Sequence, residues 1–218
     1  MRALIGVSPR IHGDVATRAR FGAEKAMAGI LERPATPTRH RLDVEAYYKM
    51  AEAGILPEPR RVELIDGDII DMTPIGSGHA GRTNRLIEIF ARAAVAGQAL
   101  LTAQTPLRLD AYNEPQPDVM LLRPRPDHYT ARHPSAADVL LLVEVSDSSL
   151  AYDRGAKVAL YARFGAPEVW IVDIRGGAVE TYRNPKDGEY ASRELFAAGP
   201  LSPALVPELT IDVAWLLA

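Results

Sequence analysis

Cysteine is absent from the 218 residues. That excludes disulfides, thiolate nucleophiles and Cys-ligated zinc or iron–sulfur centres, and it fits a reducing compartment. Long apolar runs are also missing. The longest aliphatic stretch, residues 139–143, falls far short of the roughly 20 residues a membrane helix needs. Before Ser8-Pro9 there is only a short apolar patch, too little for a secretory signal. A soluble cytoplasmic protein, with no membrane partner, is the expectation. No repeat and no low-complexity tract appears. The length suits one domain, or one domain with an extension, and an apolar share of 47% supplies a core that needs no staple.

Charge divides the chain. Residues 1–40 hold seven Lys or Arg against three Asp or Glu, and residues 41–218 hold eighteen against twenty-five. The basic arm can touch a polyanion, or it is simply a weakly structured extension. An acidic body disfavours broad nucleic-acid binding through many phosphate contacts. It leaves room for a local site in which a metal cation meets phosphate.

In the arm, Asp14 can cap a helix running towards Arg33, and Pro34-Ala-Thr-Pro37 reads as a linker. Two domains of sequence follow from this, an extension at 1–40 and a main domain at 41–218. Asp43 looks like the N-cap of a short helix ending near Gly54. Asp66-Gly67, between two β-rich halves, predicts a hairpin with a type I′ turn. Ser77 opens a helix whose stripe is Thr83, Leu86, Ile87, Phe90 and Ala94, stopped by Gly97. Strands are expected at 99–102, 107–109, 118–122 and 139–145, the last apolar enough to be covered on both faces. Helical spacing returns over 153–164 through Ala156, Leu160 and Tyr161. A hairpin across Gly176-Gly177, a strand at 190–196 and a short helix at 213–217 complete an α/β pattern with a mixed sheet.

Several familiar sites are excluded. Gly76, Gly78 and Gly81 spell G-x-G-x-x-G, but the strand before them is committed to a tight hairpin, and no acid follows to hold a ribose. There is no phosphate-binding G-x-x-x-x-G-K-[ST] and no G-x-S-x-G elbow. The five histidines include no H-x3-H pair for zinc.

Two acids stand where strands should be apolar. Glu144 interrupts a buried-strand pattern, and Asp118 follows Pro117 at the head of Asp-Val-Met-Leu-Leu. Either acid alone reads as a strand-end residue capped by backbone amides or paired with arginine. Two on neighbouring strands point to oxygen ligands converging on a hard divalent cation. Asp153 and Lys157 are four apart, as in an exposed helical ion pair. The functional alternative turns Lys157 over the strand carrying Glu144, where an ammonium meets phosphate charge. On that alternative, replacing Lys157 by alanine leaves the fold intact and lowers the cleavage rate by orders of magnitude. Glu63 is either a solvent-facing acid on an edge strand or a further outer ligand. His79 is either held by a structural hydrogen bond or part of the site.

Val62-Glu-Leu-Ile-Asp-Gly67, Ser77-Gly-His79, Pro117-Asp118, Val143-Glu144-Val-Ser146, Asp153-Arg-Gly-Ala-Lys157 with Tyr161, and Glu168-Val-Trp-Ile-Val-Asp173 occur in that order. In these stretches the chain, from about residue 41 onward, resembles the Uma-type restriction endonuclease family of the PD-(D/E)XK nuclease superfamily. The resemblance implies a restriction-endonuclease-like α/β fold, with Asp118 and Glu144 as metal ligands, Lys157 as catalytic lysine and Glu63 as an additional acid. His79 and Ser146 are the substrate-binding candidates. One departure stands out: the superfamily's usual lysine position, two residues after the second acid, holds Ser146, and the resemblance moves the lysine to Lys157. Relatives often read Ser-Pro where this chain has Ser146-Asp147. The implied activity is endonucleolytic hydrolysis of DNA with Mg2+ or Mn2+, by a cytoplasmic protein for which a homodimer is one expected assembly. The rival expectation is a degenerate nuclease fold serving as a binding or dimerisation module.

Overall fold

The computed structural model describes residues 38–56 and 61–218, and residues 41–218 form a compact unit of their own. The helix and linker expected in the arm lie outside the described residues. Helix α1 (Val44–Glu52) is capped as its sequence predicts, the backbone N–H of Ala46 donating to Asp43 Oδ1 at 2.8 Å. Strands β1 (Val62–Ile65) and β2 (Asp68–Asp71) form the hairpin. Asp66 and Gly67 both take positive φ, 50° and 77°, as a type I′ turn requires. Gly67 is demanded twice over, because a Cβ there would sit 2.6 Å from that of Arg41. The hairpin is not the solvent-facing edge that Glu63 allowed. Every β1 residue is buried, and Leu64 bridges to Glu114.

Helix α2 (Ser77–Val95) buries Thr83, Leu86 and Phe90, as the spacing predicts, but its last buried residue is Ala93 and not Ala94. Phe90 meets Trp170 edge to face with centroids 6.2 Å apart. Strands β3 (Leu100–Ala103), β4 (Val119–Leu122), β5 (Val139–Ser146), β6 (Glu168–Asp173), β7 (Ala178–Lys186) and β8 (Glu189–Phe196) make one six-stranded sheet in chain order. Only β5 and β6 pair in parallel, so a crossover must join them. A further strand pair, β9 (Pro200–Leu201) with β10 (Ile211–Asp212), leads into the closing helix α5 (Val213–Leu217). The strand expected at 107–109 does not form. Its amides close on their own loop, Leu107 N–H to Pro115 O and Leu109 N–H to Asn113 O.

Strand β5 is buried throughout. Period-2 alternation sends Leu141, Val143 and Val145 into a core shared with α2 and α5, while Leu142 joins Met120 and Tyr161 on the other face. Asp118, Glu144 and Ser146 fall in phase with that second face.

The β5–β6 crossover departs from the single helix expected over 153–164. Helix α3 (Leu150–Tyr152) passes into a π-helical turn, Asp153–Lys157, before α4 (Val158–Arg163). The widened turn shifts the phase of the buried face. Ala156 is exposed, whereas Asp153, Lys157, Val158 and Tyr161 are buried. Single-turn π insertions of this kind recur at functional sites.

Candidate active site

The β4–β5 register pairs Val119 with Val143, so Asp118, one residue before β4, stands across from Glu144. Cross-strand neighbours share a face. Asp118 Oδ2 accepts from the Val145 backbone N–H at 2.9 Å, which ties its carboxylate to β5. The same oxygen lies 3.0 Å from His79 Nε2, and the other ring nitrogen of His79 lies 3.4 Å from Thr83 Oγ1. His79 thereby orients Asp118 from the first turn of α2. Both its nitrogens have partners within the protein.

Glu144 is 3% exposed. Its Oε1 accepts from the Tyr161 hydroxyl at 2.5 Å and lies 3.0 Å from Lys157 Nζ. Lys157 also reaches Glu63 Oε1 at 2.9 Å, and that oxygen accepts the Gln116 N–H at 2.8 Å. The exposed Asp153–Lys157 pair therefore does not exist. Asp153 turns instead to two hydroxyls, with Ser146 Oγ and Ser149 Oγ donating to its Oδ2 at 2.7 and 2.6 Å. Ser146 is wholly buried with its hydroxyl committed. It supports the π turn from the strand.

Burial pushes the Glu144 carboxyl up, and Asp118, Asp153 and Glu63 add to the push while Lys157 opposes it. For Lys157 burial works downward, but Glu144, Glu63 and Asp153 outweigh it and raise the ammonium's pKa, so Lys157 is charged. Tyr161 is raised by burial first and then by Glu144, and remains a donor.

Glu63, His79, Asp118, Glu144 and Lys157 all line one cleft of about 360 Å³. Four buried carboxylates, those of Glu63, Asp118, Glu144 and Asp153, face a single buried ammonium. Such an excess of negative charge favours a bound cation or proton uptake. Among the described residues no hydrogen bond engages Asp118 Oδ1 or Glu144 Oε2, and no cluster of three or more potential ligands is ready-made. Two carboxylates, completed by water and phosphate oxygens, match what Mg2+ accepts, so the donor set fits a hard divalent ion.

Sequence reasoning gave no role to Tyr161, although it lies four residues beyond Lys157 and so follows it on the same helical face. Tyr152 and Arg61, which also line the cleft, carried no sequence signal of their own.

A six-stranded mixed sheet with acids gathered at adjoining strand ends, and a lysine supplied from the crossover, defines a restriction-endonuclease-like fold. The chain belongs to the family described as "Uma2: Putative restriction endonuclease", whose model matches residues 44–214. Its fold is also that of a crystal structure described as "a putative nuclease belonging to DUF820" from Anabaena variabilis. The two share 16% identity with a TM-score of 0.62, over 81% of this chain and 97% of the other. No curated protein matches. Among the described residues no helix is long and apolar enough to cross a membrane.

Proposed function

We propose that this chain is a Mg2+- or Mn2+-dependent endonuclease that hydrolyses DNA phosphodiester bonds, with the metal held by Asp118 and Glu144. The observation that carries this reading is Lys157, whose Nζ lies within 3.0 Å of both Glu63 and Glu144 on the floor of the cleft. A bound divalent ion supplies Lewis-acid polarisation of the phosphate and a more acidic water. The protein's own groups do the rest. Lys157 presents N–H donors to charge developing on phosphoryl oxygens. Glu63 holds that ammonium in place, Tyr161 fixes the Glu144 carboxylate, and His79 with the Val145 amide fixes Asp118. A homodimer would supply one such site for each strand of a duplex, and the cytoplasm would supply both DNA and Mg2+.

The rival, a binding module without chemistry, draws on Ser146 at the usual lysine position. Against it stands the cost of burying several carboxylates around one ammonium, which a module has no reason to bear.

Incubation with supercoiled plasmid, single-stranded DNA and RNA, each with Mg2+, Mn2+ or EDTA, tests the reading. DNA cleavage is expected with either metal and none in EDTA. Calorimetric titration with Mn2+ should give binding by the wild type and at least a tenfold weaker response from Asp118→Asn, since one of two carboxylate ligands is gone. Intact DNA in every metal, from a folded protein, rejects the reading. Equal Mn2+ binding by both proteins removes Asp118 from the site.

A further inference from the structure

Among the described residues, four buried side-chain polar atoms have no hydrogen-bond partner: Arg61 Nη2, Arg82 Nε, Tyr152 Oη and Thr181 Oγ1. A buried donor left unpaired loses its bond to water and gains nothing, so each such group calls for a reason. Two of the four, on Arg61 and Tyr152, belong to residues lining the cleft that holds Asp118, Glu144 and Lys157.

They enter from different elements. Arg61 immediately precedes β1, and its carbonyl accepts the Met72 N–H at 2.9 Å, which extends the hairpin by one rung. Two residues from Glu63, it projects to the same side of the strand. Tyr152 is the last residue before the π turn that carries Lys157. Burial, reinforced by the Glu63 carboxylate, pushes its hydroxyl up to about 12, so it is a neutral donor at any ordinary pH. The other cations of the cleft are occupied: Lys157 by Glu63 and Glu144, and Arg175 by Asp147 at 2.6 Å.

We propose that Arg61 and Tyr152 form a phosphate-anchoring pair, holding the non-bridging oxygens of a nucleic-acid strand against the acid-rich floor of the cleft. The proposal rests on the nuclease reading of the same site and adds the residues that position its substrate. Phosphate chemistry is favoured because guanidinium offers a planar fork of donors matched to phosphate oxygens. An anion entering a cleft with surplus carboxylates needs such a fork, and a neutral hydroxyl beside it donates without adding charge.

The test is fluorescence anisotropy with a labelled DNA duplex and an RNA duplex of the same sequence, in EDTA, across a salt series, with melting temperatures on the same preparations. Wild-type protein should bind. Arg61→Gln should weaken binding about tenfold and lower the salt slope by about one, as for loss of one phosphate contact. Arg61→Lys should weaken binding while keeping the slope, since charge survives and the fork does not. Tyr152→Phe should weaken binding with no change of slope, yet melt at the same or a higher temperature, because an orphan hydroxyl has been removed. Equal losses on DNA and RNA are expected of a phosphodiester contact.

Absence of wild-type binding overturns the proposal, as does an unchanged slope in Arg61→Gln, or a Tyr152→Phe protein that melts lower and binds normally. A loss confined to one sugar overturns the phosphate assignment. If Arg61→Gln does not fold, wild-type affinity in Arg61→Lys is the overturning result. A protein that binds DNA through Arg61 but cleaves nothing with metal leaves this proposal standing and ends the nuclease reading. Normal cleavage and binding by both the Arg61→Gln and Tyr152→Phe variants do the reverse.

Discussion

Lys157 meets Glu144 from a helix: its Nζ lies 3.0 Å from Glu144 Oε1, although Glu144 stands on β5 and Lys157 in the crossover that follows it. Strand geometry alone would place a partner for Glu144 two residues on, at position 146, on the same face. Serine occupies that position, and its hydroxyl instead holds Asp153 at the start of the π turn. The strand thus supports the segment that returns the ammonium to it.

Removing this ammonium should affect stability as well as chemistry, because its partners are buried with it. In Lys157→Met, Glu63 and Glu144 remain buried without their counter-charge, a loss of about 3 kcal/mol at neutral pH. The deficit should depend on pH. Burial and the neighbouring acids push Glu144 up, and Lys157 is what opposes them. The folded carboxyl already binds a proton more tightly than the unfolded one, whose pKa is about 4.3, and without Lys157 it does so more tightly still. Stability is then retained below that value and lost as pH climbs through the raised folded pKa. Guanidinium denaturation at about pH 5 and about pH 9 should show Lys157→Met nearer to wild type at the lower value. A pH-independent gap would refute the assignment. In metal-loaded cleavage assays at a temperature where both proteins are folded, the variant should lose about a hundredfold or more in rate.

Tyr161→Phe removes the hydroxyl that donates to Glu144 at 2.5 Å and changes little else. A buried carboxylate that loses a charge-assisted hydrogen bond costs about 1–3 kcal/mol. Urea unfolding in EDTA measures the cost, and a cost near zero would show that Tyr161 does not support the carboxylate.

Far from the cleft, Asp138 sets part of the acid limit of stability. Burial alone would raise its pKa. The Arg132 guanidinium at 2.9 Å, with the backbone N–H and hydroxyl of Ser135, outweighs burial and holds the carboxyl down to about 2. A depressed pKa contributes stability above the unfolded value of about 3.9 and loses it as pH falls through the folded one. Between about pH 5 and about pH 2 the wild type should lose about 1 kcal/mol more than Asp138→Asn, a figure reduced for solvent screening. Parallel acid-limb losses in the two proteins would contradict this.

The legible parts of this chain are those with a local cause. Asp43 capping α1, Asp66-Gly67 turning the hairpin, and Leu86 and Phe90 on α2 each follow from spacing or from a turn's need for positive φ. Asp118 and Glu144 were legible for the opposite reason, as acids breaking apolar strands. What escaped depends on tertiary register. The apolar residues at 107 and 109 mimic a strand, but their amides pair across a loop. Ala156 fits an α-helical stripe that the π turn shifts. Glu63 gives no local sign of burial, because its covering comes from Lys157 and from the Gln116 amide, both remote in sequence. Arg61 and Tyr152 are visible only once unpaired atoms can be located.

The π turn makes residue count, as much as residue identity, a determinant of the cleft. Gly155 lies within it, exposed, with open space where a Cβ would be, so side-chain chemistry at that point is nearly free to vary. Length is not. Each residue advances an α-helix by about 100°, and inserting one here would exceed what the widened turn already absorbs. Lys157 and Tyr161 would then be rotated about a third of a turn relative to Asp153, with every functional side chain still present. Between β5 and β6 this chain should therefore accept substitutions far more readily than single-residue insertions, so that its geometry is written there partly as a number.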